Sequence, residues 1–437
     1  MNAWAASPVR EPLSPGVRLG YASGSLATGI FSTVPAILLL FYCTEVLVLP
    51  PGWAAVIMLV PKAWSVAWDP LVGSWSDRVR DVRGLLAAGA AGVVVCFALV
   101  FATPWHGSLA AACWVGLCYL GLASFYSVYS VPYVSLPARR VRADGERARL
   151  ISWRMVFAML GVLAGAGIAP VIVQQGATPR DGYRLMGASL AMVCALAMMG
   201  PLLVLPGLPP ATGRPRNSGH STAGSLLLQL GAVVASRDFR ALLLAYLLQL
   251  TAASIFSSVA PYLVTYVFKR PAGDTGLALG LLLAITTGCI QPWASLAHRI
   301  GERAALVAAV LGYAAATLAL GAATLVPTTW PVALMVFAAA GVPFGGLQVL
   351  PFIISARIIA RDGAGLAEGT LTGVWTASEK LGLALGPTLT GAAFALLGGV
   401  QTGRMRAFVM LAPAALVLMS LIFAPASPAP DATGKSS

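Results

Sequence analysis

Apolar runs follow one another along the chain near 17–43, 52–75, 84–104, 108–136, 150–174 and 184–205, then near 240–268, 275–297, 304–327, 329–355, 370–398 and 407–425. As helices, runs of about twenty residues cross roughly 30 Å of hydrocarbon. The strands of a membrane barrel would appear instead as short alternating segments. The pattern therefore predicts an all-α membrane protein of twelve transmembrane helices in two six-helix bundles. Between the two sets lies Gly207 to Asp238, with PPATGRPRNSGHSTAG, the longest polar, Pro/Gly/Ser-rich stretch of the chain. The expected division is a first bundle over 1–206, a cytoplasmic linker over 207–239, and a second bundle with a short tail over 240–437. Late in the linker, SLLLQLGAVVASRDFRALL reads either as an amphipathic helix on the membrane face or as an early start of the seventh helix.

Composition agrees with lipid as the main solvent. Of 437 residues, 58% are apolar and 10% charged, and the mean hydropathy is +0.83; a soluble domain carries about a quarter charged residues. Cys43, Cys96, Cys113, Cys118, Cys194 and Cys289 all fall inside apolar runs without a Cys-x-x-Cys pair and read as buried free thiols. Residues Met1 to Arg18 lack the charged, apolar, small-residue order of a signal peptide, so none is expected. The net charge of +13 suggests nucleic acid only until the charges are placed. With both termini cytoplasmic, the Arg78–Arg83, Arg139–Arg149, Arg214–Arg240, Arg299–Arg303 and Arg357–Arg361 groups all fall inside, leaving Arg180, Arg184, Lys269, Arg270, Arg404 and Arg406 outside. That distribution predicts a multi-pass cell-membrane protein with no nucleic-acid partner, expected to act as a monomer.

Ionisable residues inside a membrane are expensive and normally face a cavity. Lys62, Ser65 and Asp69 share one face of the second segment, flanked by Trp64 and Trp68; Arg154 lies near the start of the fifth, and Glu379 and Lys380 are adjacent in the eleventh. These residues predict a polar cavity between the bundles. Asp69 is the candidate proton or cation site, with Lys62 and Ser65 on the same face. Arg154, Ser130, Tyr126, Trp68, Glu379, Lys380 and Trp375 are candidate substrate contacts. Asp77, Arg78 and Arg147 are candidate gating charges at the cytoplasmic helix ends. The competing structural account is that Lys62 and Asp69 neutralise each other, that Arg154 snorkels to the interface, and that the loop charges are only solvated. Asp69-Pro70 and Gln291-Pro292, each ahead of a basic loop and six segments apart, hint at an internal duplication whose spacing slips by one residue.

Several stretches together resemble one family. FYCTEVLVLPPG, AWDPLVGSWSDRVR, SVPYVSLPARRVRADGERARLISWRMVFAMLG and GVWTASEKLGLALGPTLTGAAFALLGG are similar, in that order, to the motifs of the glycoside-pentoside-hexuronide:cation symporters, the melibiose permease branch of the major facilitator superfamily. The likeness runs from about 17 to 425. It implies the major facilitator fold, a central cavity and alternating access. It carries the family's Asp before the helix 2 proline onto Asp69, the helix 11 lysine onto Lys380, the helix 5 arginine onto Arg154 and the helix 4 hydroxyl onto Ser127. The resemblance thereby adds Ser127 and Lys380 to the candidate proton or cation site at Asp69. The chain departs from the family where a second helix 2 carboxylate would stand (Ser65), where a cation-binding Asn would stand (Trp68), and at both sugar-binding aspartates, which fall at Gly29 and Ser130.

The resulting expectation is a secondary transporter of a small organic solute, sugar-like or a related metabolite, with no cofactor. Its coupling ion is a proton rather than sodium, because a sodium site needs several oxygen ligands and two are missing. Export of amphipathic or drug-like metabolites or of lysolipids is the alternative within transport, and a non-transporting membrane sensor the alternative outside it. An integral membrane enzyme is disfavoured, since no catalytic constellation is visible: His106, His220 and His298 lie in loops or at a helix end, and no nucleotide-binding Gly-Lys-Ser/Thr loop is present.

Overall fold

The computed structural model describes residues 13–79, 81–140, 144–207, 237–326, 328–362, 368–398 and 402–423. Among them, twelve helices are long and apolar enough to cross a membrane. They are α1 (Pro15–Val34), α2 (Pro51–Arg78), α3 (Arg83–Val100), α4 (Leu109–Arg140), α5 (Asp144–Leu163, continued by Ala169–Val173), α6 (Pro179–Val204), α7 (Arg237–Tyr262), α8 (Asp274–Ile300), α9 (Glu302–Ala323), α10 (Trp330–Asp362), α11 (Glu368–Leu397) and α12 (Gly403–Met419). Residues 208–236, which include most of the expected amphipathic helix, lie outside the described residues. Their neighbours define a linker side of the molecule and, across the helices, a far side.

Large apolar side chains cover the outside, among them Leu396 (82% exposed), Ile422 (77%) and Leu117 (68%). A surface of this kind is stable only against lipid. The cysteines differ from the sequence reading, because Cys43 and Cys194 are buried while Cys113 is exposed. Its segment is apolar all round, so burial inside a helix run does not imply burial inside the protein.

Within α1 to α6, α1 packs on α5 and α6, and α4 on α2 and α3; within α7 to α12, α7 packs on α11 and α12, and α10 on α8 and α9. The closest crossing is that of α1 on α5. A Cβ built on Gly29 meets the Ala158 carbonyl and lies 2.7 Å from the Val162 nitrogen, and one on Gly161 meets the Leu26 carbonyl and lies 3.0 Å from Gly29 Cα. Backbones approach this closely only where side chains are missing. Gly29 therefore faces helix backbone. The position to which the family resemblance assigns a sugar-binding aspartate has no room for any side chain here.

The two halves touch chiefly on the far side. α8 lies against the Ala164–Val173 end of α5, the Pro35–Leu39 turn after α1 lies against α7, and Gly391 of α11 sits on Pro51 and Ala55 of α2. Toward the linker side α5 and α8 part. On that side the halves remain joined where α2 meets α11.

Candidate functional site

An ion pair crosses the seam between α2 and α11. Asp69 Oδ2 accepts from Lys380 Nζ, joining α2 to α11, and Asp69 Oδ1 accepts from the Ser127 hydroxyl of α4. Pro70 follows Asp69 inside α2; it has no N–H, so the Val66 carbonyl one turn earlier loses its helical donor and the helix is locally loosened beside the carboxylate. Lys380 and Asp69 keep 22% and 23% side-chain exposure, so solvent reaches the pair.

Around it stand the other membrane charges. Lys62, two turns before Asp69, lies within electrostatic range of Asp69 and Glu379, and Glu379 within range of both Lys380 and Lys62. Tyr126 lies in range of Asp69, Glu379 and Arg154, and Arg154 in turn is near Tyr21 and Tyr133. Among the described residues this group holds three basic side chains, Lys62, Lys380 and Arg154, and two acidic ones, Asp69 and Glu379. Among the described residues Arg154 has no carboxylate at ion-pair distance, and the half-buried Ser130 lies at helical spacing between Tyr126 and Tyr133 on α4.

Four positions singled out in the sequence are placed differently. Ser65 donates to the Pro61 carbonyl of its own helix at 3.0 Å, as hydroxyls in helices commonly do, so its proton does not serve Asp69. Trp68 donates to the Ser124 carbonyl at 3.1 Å and stacks on Trp64, whose indole donates to the Ser124 hydroxyl at 3.0 Å; the pair ties α2 to α4. Trp375 is 7% exposed and stacks on Tyr246 at 4.4 Å, with Phe352 and Phe239 beside it. It belongs to the aromatic core of α7, α10 and α11. The side chains of Asp77, Arg78 and Arg147 lie outside the described residues. Their neighbour Glu146 pairs with Arg18 of α1 at 3.0 Å and with Arg149 of its own helix at 3.2 Å, so the acid of this loop holds α1 and α5 together.

Sequence reading missed Tyr21. Its hydroxyl donates to the Tyr133 carbonyl at 3.2 Å, while Tyr133 donates to the Tyr21 carbonyl at 2.7 Å and shares a 2.9 Å hydrogen bond with Ser25. This reciprocal clamp fixes α1 to α4 behind Arg154. No local signal marks a tyrosine for such a role, because the partner is more than a hundred residues away.

Fold and site together define a polytopic membrane protein of two six-helix halves, with a cluster of membrane charges at their seam and the Asp69–Lys380 ion pair across it. The chain belongs to the MFS/sugar transport protein family, which matches residues 20–426. It is 32% identical over 193 residues to the uncharacterized symporter YnaJ of Bacillus subtilis (43% of this chain, 41% of that protein), and 30% identical over 162 residues to the glucuronide carrier protein homolog of Escherichia coli (34% and 35%). The chain thus spans about two fifths of the length of the curated relatives it matches. The solved D-xylose-proton symporter has the same fold, with a TM-score of 0.69 at 15% identity over 94% of this chain and 96% of that one.

Proposed function

We propose that the protein is a proton-coupled secondary transporter of a small, sugar-like organic solute carrying an anionic group, working by alternating access across the cell membrane. The observation that carries this reading is the Asp69–Lys380 pair. An ion pair between two halves that move against each other must break when they separate, and protonating Asp69 is the cheapest way to release it. Asp69 offers a single carboxylate whose two oxygens already bind Lys380 and Ser127, which leaves no oxygen cage for sodium; hard cations need several such ligands. Residues 1–206 and 240–437 are the rocking units, joined by the linker over 207–239. The Lys/Arg distribution supports a linker side in the cytoplasm, and the protein acts as a monomer.

Arg154, with no carboxylate at ion-pair distance among the described residues, is the substrate anchor. A carboxylate or similar anion there would restore neutrality to the cluster and gain charge-assisted hydrogen bonds, with Tyr126 and Ser130 reaching the rest of the solute. The names of the relatives, a glucuronide carrier homolog and a D-xylose-proton symporter among them, support a sugar-like solute. Replacing Arg154 with Gln is expected to raise KM for an anionic solute about tenfold or more, the loss of one charge-assisted pair, with a smaller effect on a neutral analogue; equal effects on both would remove Arg154 from the substrate site. The wider reading is tested by thermal shift of the purified protein against neutral pentoses and hexoses, uronates and glucuronides, and lysolipids, at two pH values with and without sodium. Stabilisation by uronates or glucuronides that depends on pH and ignores sodium is expected. Stabilisation by lysolipids alone would replace this reading with the lipid-exporter alternative.

A further inference from the structure

The far-side seam contains a repeat that is ungapped and symmetric. Residues 41–50 (FYCTEVLVLP) and 262–271 (YLVTYVFKRP) end α1 and α7 with the same backbone. Each opens into a π-turn, Tyr42–Val46 in one and Leu263–Val267 in the other. Leu47 N–H donates to Tyr42 O and Leu49 N–H to Cys43 O; Phe268 N–H donates to Leu263 O and Arg270 N–H to Val264 O, all at 2.9 Å. Val48 (φ 54°) and Lys269 (φ 52°) occupy corresponding positions and are the non-glycine residues with positive φ among the described ones; bulky residues take that conformation only when their surroundings impose it. The same register carries Leu26 and Gly161 of the α1–α5 crossing onto Leu247 and Gly382 of the α7–α11 crossing, where a Cβ on Gly382 would lie 3.2 Å from the Leu247 carbonyl. It also carries Ala55, against Gly391, onto Gly276, against Gly167.

The side chains that bridge the halves are themselves repeat mates. Tyr266 donates to Glu45, its counterpart across the pseudo-twofold axis. Thr44 shares a 2.6 Å hydrogen bond with the Tyr262 hydroxyl. The symmetric counterpart of that bond would join Thr265 to residue 41. Residue 41 is Phe, and the buried Thr265 hydroxyl has no partner. The two rings pack on each other at 4.9 Å.

We propose that this pseudo-symmetric contact is the far-side gate latch, that Glu45–Tyr266 and Thr44–Tyr262 hold the protein open toward the linker, and that Phe41 leaves the second threonine–tyrosine bond unmade so that the latch stays weak enough to release. The inference rests on the rocking motion of the proposed function but not on any solute or coupling ion. When the gate opens, the α2–α11 contact at Ala55 and the α5–α8 contact at Gly276 must separate together with the two π-turns.

Hydrogen–deuterium exchange of the full chain in lipid nanodiscs without solute tests it. Glu45→Gln and Tyr266→Phe are expected to speed exchange roughly tenfold, the loss of one hydrogen bond to a charged group, in residues 42–49 and 263–270 and also at the far ends of α2 (51–56) and α8 (274–280). Phe41→Tyr is expected to slow exchange in the same four segments, and Thr265→Val to leave them unchanged. A rise confined to 42–49 and 263–270 would overturn the proposal, since the contact would then tether a loop and not hold the gate. Unchanged exchange in both Glu45→Gln and Tyr266→Phe would overturn it as well. If Phe41→Tyr fails to fold, the other variants decide. A protein that transports nothing yet shows the four-segment response would contradict the proposed function and leave the latch standing.

Discussion

Asp69→Asn is expected to reduce uptake of solute against a gradient by about a hundredfold or more in proteoliposomes, while solute-for-solute exchange persists. Asparagine keeps the shape of the carboxylate and still accepts from Ser127, so the α2–α4 contact survives. What it removes is the charge that holds Lys380 across the seam. A hundredfold change corresponds to about 2.7 kcal/mol, which is in the range expected when one member of a partly buried, hydrogen-bonded pair is deleted and the other is left without its counter-charge. Lys380→Ala is expected to be similarly damaging by the opposite route, leaving Asp69 to be satisfied by a bound proton that it no longer releases. Pairing Asp69→Asn with Lys380→Ala is expected to cost less than the sum of the single changes, because the two side chains act through one contact. Additive losses would mean that the contact is incidental.

Gly161→Leu is expected to remove the folded protein altogether. Its Cβ would enter the Leu26 carbonyl and Gly29 Cα of α1, backbone atoms that no rotamer change moves aside. The penalty lies above the roughly 1–3 kcal/mol of an ordinary overpacked core, because two long helices have to separate. Monodisperse protein measured by size-exclusion chromatography in detergent is expected to fall more than about tenfold, an amount equivalent to about 1.4 kcal/mol or more. Gly288→Leu, at a position where nothing lies within 4 Å of a Cβ, is the matched control and is expected to leave the yield unchanged. Normal yield of Gly161→Leu would show that the α1–α5 crossing is looser than described here.

Hydrophobic runs made the twelve helices legible, because length and apolarity are local properties of the chain. Asp69, Lys380 and Arg154 were legible for a related reason: an ion in an apolar run stands out wherever the run ends up. Partnership was legible only through the family resemblance, which grouped Ser127 and Lys380 with Asp69. Nothing local says that Lys380 meets Asp69 and not its neighbour Glu379, or that Ser65 bonds its own helix. Trp375, read from the sequence as a substrate contact, is buried against Tyr246 because a residue's facing depends on which helix packs there. Trp375 points into its own half, and in the repeat register it is the counterpart of Arg154, so the two halves have put opposite chemistries at one position. The duplication was sought at Asp69-Pro70 and Gln291-Pro292, where the spacing slips. The ungapped copy at 41–50 and 262–271 was overlooked because only Thr44, Val46 and Pro50 match their counterparts Thr265, Val267 and Pro271 in identity, while the shared backbone is invisible in letters.

The most direct test of the account is the proton itself. In lightly buffered proteoliposomes, adding a uronate or glucuronide that the thermal-shift screen identifies is expected to make the outside medium more alkaline as the solute enters, without sodium, and Asp69→Asn is expected to abolish that pH change. Solute entry that requires sodium, or that proceeds with no movement of protons in the unmodified protein, would contradict it.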